Sequence, residues 1–98
     1  MHRTISVMAA LSDPTRFGAM QILWDGNEHC VCKLMERLGA TQSRMSRHMA
    51  VLKAAGLVVD RRDAQWVRYR RNPALSPRLA AVVDAALAAA KVEKRKAA

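Results

Sequence analysis

Two thiols and one polar helix face are the groups in this chain whose types and spacing suit chemistry. The only cysteines, Cys30 and Cys32, lie in Glu28-His29-Cys30-Val31-Cys32-Lys33-Leu34, the single segment with soft-metal chemistry. On a regular helix, residues two apart point about 200° from one another, at about 100° per residue. One soft ion therefore takes both sulfurs only if that turn unwinds, and such unwinding would make the pair a switch. A helix N-terminus and Lys33 beside the pair both favour thiolate over thiol. Zn²⁺ normally wants four ligands, and only His29 and Glu28 stand nearby, so a thiophilic centre satisfied by two or three sulfurs fits better. The bland alternative is that both cysteines are small buried hydrophobes, but two at this spacing cannot both face a core.

The second group lies in the stretch 40–58, ATQSRMSRHMAVLKAAGLV. Thr41 suits an N-cap and Gly56 the positive-φ position after a helix. Met45, Met49 and Leu52 recur at helical spacing and face a core. The opposite face carries Gln42, Ser43, Arg44, Ser46, Arg47 and Lys53, donors with the reach of base edges and phosphates. His48 on the same helix is expected to contact phosphate or to pack, not to bind metal. A charged helix face is usually a solvated one, so the charge distribution matters. The chain carries 17 Lys and Arg against 8 Asp and Glu, a net charge of +9. Residues 41–71 hold eight basic and two acidic side chains, so six of the nine net charges lie in under a third of the chain. Such clustering points to a polyanion. No long apolar run, signal peptide or lipidation motif accompanies it, which favours double-stranded DNA over a membrane and a cytoplasmic protein. Two cysteines one residue apart do not form a disulfide framework and fit a reducing compartment.

The elements that position these groups are predicted as follows. A chain of 98 residues is one domain, 1–98, and its small core would gain from dimerisation. Hydrophobic residues make up 51%, but Ala and Met supply many and only four are aromatic, which favours helices. Ile5, Met8 and Leu11 mark a short first helix. Ser12-Asp13-Pro14 then caps a second, apolar at Phe17, Met20, Ile22 and Leu23 and ended by Asp25-Gly26-Asn27. A third runs from about 30 to 38, with Val31, Leu34 and Leu38 inward. The turn at Gly39-Ala40-Thr41 leads into the polar helix, and together they read as a helix-turn-helix. After Gly56 the period changes to two, giving strands at Leu57-Val58-Val59 and Trp66-Val67-Arg68-Tyr69 around Asp63-Ala64. A hairpin bearing Arg61, Arg62, Arg68 and Arg70 beside a helix-turn-helix is a wing, reaching for phosphates or a minor groove. A last helix, about 74–93, has a stripe of Leu75, Leu79, Val82, Val83, Ala86, Leu87 and Ala90 that either folds back onto the first helix or packs on a second copy of the chain; the second is favoured, because a two-fold protein matches a palindromic site. Residues 94–98 read as a frayed, charged tail. The fold class is thus mainly α with a β-hairpin wing (α+β), a winged helix-turn-helix dimerising through terminal helices.

Taken in order, Ala10-Leu11-Ser12-Asp13-Pro14-Thr15-Arg16, Cys30-Val31-Cys32, Gln42-Ser43-Arg44-Met45-Ser46-Arg47-His48-Met49 and Trp66-Val67-Arg68-Tyr69-Arg70 resemble motifs of the ArsR/SmtB family of winged-helix metalloregulators, over about residues 5–72. The resemblance implies a homodimer that represses its own operon and releases DNA when metal binds. Cys-Val-Cys after Glu28 is similar to the branch that senses arsenite and antimonite through thiolates on the third helix. Met35 stands where that branch often has a third cysteine, and His29 and Lys33 replace its usual Leu and Asp. The final helix has no His, Asp or Glu cluster of the kind with which some relatives bind zinc across the dimer.

The resulting expectation is a homodimeric repressor of operator DNA, released when As(III) or Sb(III) binds Cys30 and Cys32, with no organic cofactor. Gln42, Ser43, Ser46 and Arg47 would read the major groove, while Arg44, His48, Arg61, Arg62, Arg68 and Arg70 hold phosphates. The alternatives are a Cd, Pb or Zn sensor or a thiol-redox sensor on the same fold, and a ligand-independent architectural DNA-binding protein. No paired carboxylates, phosphate loop or nucleophile-base pattern suggests an enzyme.

Overall fold

The computed structural model describes residues 3–97, with side chains through Glu93. Five helices and three short strands follow one another as α1 (Arg3–Leu11), α2 (Pro14–Leu23), β1 (His29–Cys30), α3 (Val31–Leu38), α4 (Gln42–Ala54), β2 (Val58–Asp63), β3 (Trp66–Arg71) and α5 (Pro77–Ala97). The architecture is the expected winged helix-turn-helix. The sheet is antiparallel in the order β1-β3-β2, so the hairpin of β2 and β3 gains a third strand from just before α3.

Local chemistry sets the helix ends. Asp13, in extended conformation, caps α2: its Oδ2 accepts from Thr15 N at 2.9 Å and Arg16 N at 3.0 Å, and Pro14 takes the first helical position, where no donor is missed. Gly39, at φ 65°, ends α3 and starts the turn of the helix-turn-helix. Thr41 caps α4 as expected, its Oγ1 accepting from Arg44 N at 3.3 Å. At the other end of α4, Gly56 N donates to Lys53 O and Leu57 N to Leu52 O, a Schellman closure that needs the φ of 80° at Gly56.

Met20, Leu23, Leu34, Met45, Met49, Leu52, Leu57 and Val83 are fully buried and join the helices to the base of the sheet. Each such side chain contributes roughly 1.5–3 kcal/mol of burial. No helix among the described residues is long and apolar enough to cross a membrane.

Four expectations are corrected. Cys30 lies outside α3, in extended conformation at φ −65° and ψ 143°, because it pairs with β3. The strands run longer than expected, and Ala64 holds φ 56° at their turn, a position usually filled by Asn or Gly. The last helix turns part of the stripe expected for a second copy into the chain's own core, with Val83 and Leu87 buried, while on α1 Ile5 and Met8 are 58% and 57% exposed. The last helix starts after a turn in which Asn72 Oδ1 accepts from Ala74 N. It runs on to Ala97, where fraying was expected from 94, and Ala98 lies outside the described residues.

Candidate nucleic-acid interface and thiol pair

The exposed side of α4 assembles from its first turns. Gln42, Ser43, Arg44, Ser46 and Arg47 are all exposed, while Met45, Met49 and Leu52 pin the opposite side into the core. Lys53, counted with the polar face, instead pairs with Asp60 Oδ1 at 3.0 Å and ties the end of the helix to β2. Beside the helix, Arg16, Arg44, Arg47, His48 and Val51 line an open groove of about 340 Å³ with no acidic side chain in its wall. Arg16 was missed in the sequence. It closes the motif Ala10–Arg16, but it sits in the first turn of α2 and reaches α4 only through packing, so nothing local marks its place at the groove.

His48 is half-buried, and its Nδ1 lies 3.3 Å from Arg16 Nη1 and 3.8 Å from Asp13 Oδ2. The backbone N–H of Arg16, together with its guanidinium, holds the Asp13 carboxyl below its ordinary value, outweighing the opposing effect of desolvation.

The register of the hairpin sorts its arginines. Arg61 lies opposite Arg68, and Val59 opposite Arg70, so Arg61, Arg68 and Arg70 share one face; Arg62, opposite Val67, is on the other. Arg61 is held by Glu28, with Nε to Oε2 at 2.7 Å and Nη2 to Oε1 at 2.8 Å. That bidentate bond pulls the Glu28 carboxyl below its usual range. Arg68 Nε donates to Asp63 Oδ2 at 2.7 Å. The side chains of Arg62 and Arg70 make no hydrogen bond or ion pair among the described residues. Arg71, not singled out in the sequence, stacks 3.5 Å above the Trp24 ring, whose Nε1 donates to Asp84 Oδ1 of α5 at 3.2 Å.

The thiol pair lies at the start of α3, between the helix-turn-helix and the wing sheet. Cys30 caps the helix, its Sγ accepting from Cys32 N at 3.2 Å, and its backbone pairs with Arg68 in β3. The two sulfurs are bonded to one another, with Cα atoms 5.2 Å apart. They therefore meet without unwinding any helix, because the extended backbone at Cys30 turns its side chain toward the first turn. The two candidate co-ligands are engaged elsewhere: Glu28 with Arg61, and His29 Nε2 with the Asp25 carboxylate at 2.9 Å. Among the described residues no group of three or more His, Cys, Asp or Glu is placed to hold a metal ion.

Residues 13–59 match the family described as "Bacterial regulatory protein, arsR family". Over 82 residues the chain is 38% identical to the "Arsenical resistance operon repressor" of Escherichia coli (strain K12), covering 84% of this chain and 70% of that protein. It is 46% identical over 69 residues to the "Arsenic resistance transcriptional regulator ArsR2" of Pseudomonas putida, covering 70% of this chain and 60% of that protein. Among solved structures it is similar to HlyU from Vibrio cholerae N16961, at a TM-score of 0.72 and 32% identity, over 84% of this chain and 85% of that one. A reduced form of HlyU aligns at a TM-score of 0.71.

Proposed function

The chain belongs to the ArsR family of bacterial regulatory proteins, transcriptional regulators and not enzymes, and we propose that it is a homodimeric, cytoplasmic repressor released from operator DNA by As(III) or Sb(III). The observation that carries this reading is the placement of Cys30 and Cys32. Their sulfurs stand together at the first turn of α3, which packs on α4, and on the edge strand of the wing sheet.

In the dithiol state the pair offers two soft donors to one thiophilic centre. As(III) would supply two As–S bonds, each replacing an As–O bond of arsenous acid while the thiol proton leaves in water. The chain's own part is mechanical. Cys30 Sγ is the cap acceptor for Cys32 N, so capture there competes with the helix cap and disturbs β1 next to Arg68. Gln42, Ser43, Ser46 and Arg47 would face base edges, with Arg44, His48, Arg62, Arg70, Arg61 and Arg68 toward phosphates. Exposed Ile5 and Met8 on α1 and Val92 on α5 give the two copies an apolar surface to share.

The test is a gel shift on the promoter of the chain's own gene. Arsenite should dissociate the reduced wild-type complex. The double change Cys30→Ser, Cys32→Ser should bind the same DNA within about twofold and ignore arsenite. Release that persists in the double variant places the sensor elsewhere. Parallel titrations with antimonite, Cd²⁺, Pb²⁺ and Zn²⁺ rank the inducers.

One observation favours a second reading on the same residues, a thiol-redox sensor: the two sulfurs are joined. Hydrogen peroxide would take two electrons from the dithiol, forming the disulfide and two waters. The similar HlyU has been solved in a reduced form as well. Equal DNA affinity of the dithiol and disulfide forms would exclude this reading.

A further inference from the structure

We propose that Arg16 is a positioning residue that fixes His48 as an Nε2–H hydrogen-bond donor to a DNA phosphate. The proposal rests on the DNA-binding reading above and adds an atom-level role within it. A guanidinium carries only donors, so the 3.3 Å contact from Arg16 Nη1 requires a bare, accepting Nδ1 on His48. The ring proton is then on Nε2. Asp13 does not compete for a proton on Nδ1: its Oδ2 is 3.8 Å away, beyond hydrogen-bond reach, and already accepts from two backbone N–H groups.

Arg16 is itself anchored. Its Nε donates to Ala10 O at 2.7 Å and its Nη2 lies 3.5 Å from Ala9 O, so the last turn of α1 holds the guanidinium plane. Nε2 of His48 has no hydrogen-bond partner among the described residues, and none of their buried side-chain nitrogens or oxygens lacks one. The atom is therefore open to solvent, on a ring that lines the groove with Arg44 and Arg47. An uncharged donor beside two arginines aims at a phosphate oxygen without displacing a counterion of its own.

Three measurements test this on the purified full chain. Long-range ¹H–¹⁵N spectra of the histidine rings should show a bare Nδ1 and a protonated Nε2 at His48 in the wild type, and a tautomer mixture in Arg16→Met. Binding to the chain's own promoter duplex and to a random 30-base-pair duplex should weaken about tenfold per bound subunit in His48→Asn, which keeps the acceptor near Nδ1 and lacks the outward donor. His48→Gln, whose amide reaches the Nε2 position, should stay within about threefold of wild type. The slope of log affinity against log salt should be unchanged in both, whereas Arg47→Gln lowers it by about one.

A protonated Nδ1, a His48→Asn variant that binds within twofold of wild type, a Gln variant as weak as Asn, or a lost salt increment in His48→Asn each overturns the proposal. Failure of the wild type to bind either duplex overturns the DNA-binding reading and this role with it. Normal wild-type binding with any of the preceding results overturns this role alone.

Discussion

Cys30 and Cys32 differ less in sequence position than in backbone state: one is the extended cap, the other the second residue of the helix. Helical periodicity alone would splay their sulfurs, and it failed here because Cys30 is claimed by a strand whose partner lies 38 residues further on. Nothing local announces a two-residue strand. Asp13 is the opposite case, since Ser12-Asp13-Pro14 is a cap signal complete in itself. Its carboxyl is held below the ordinary value of 3.8, first by the backbone N–H of Arg16. A depressed folded-state value contributes stability that is present above 3.8 and is lost as pH falls through the folded value. Asp13→Ala should therefore cost about 1 kcal/mol at pH 7 through the lost cap. The gap between the two proteins in urea melts should narrow below pH 3.8. A gap that widens with acid would mean the carboxylate is not what caps α2.

At the scale of elements, α4 was legible because its signals are local and agree: Thr41 before it, Gly56 after it, and Met45, Met49 and Leu52 on one side. The wing was legible as a pair of strands, while its turn was hidden by Ala64 in a conformation that glycine or asparagine usually takes. The roles of the wing arginines were legible only as types. Arg61 carries a charge suited to phosphate, yet both its Nε and Nη2 are engaged by Glu28, 33 residues earlier and two residues before Cys30. This pair links the thiol segment to the wing and competes with DNA for the same guanidinium. Glu28→Gln should free it, tighten DNA binding at low salt and steepen the salt slope by about 0.9. An unchanged slope in anisotropy titrations would show that Arg61 does not meet a phosphate.

On the whole molecule, the basic groups gather on α4 and the wing, while the exposed large apolar side chains outside them are Ile5 and Met8 on α1 and Val92 on α5 among the described residues. The first helix was legible as a helix, but both of its faces are apolar, and which one goes inward is set by packing: Val7 and Ala10 are buried and leave Ile5 and Met8 outside. These two side chains are dispensable to the single subunit, so Ile5→Asp with Met8→Gln should change its own stability by no more than about 0.5 kcal/mol each. Light scattering should nevertheless report a monomer, and operator affinity should fall with the loss of the second half-site contact. A variant that stays dimeric would move the interface off α1.

The thiol pair and the DNA surface must share one free-energy balance. Linkage requires that whatever arsenite takes from DNA affinity, DNA takes from arsenite affinity, in the same ratio. The direct measurement is the arsenite dissociation constant of the reduced protein, free and then saturated with its promoter duplex. The prediction is weaker arsenite binding on DNA by the factor that gel shifts give for the reverse effect, about 5–150-fold. Identical constants in the two states would contradict it.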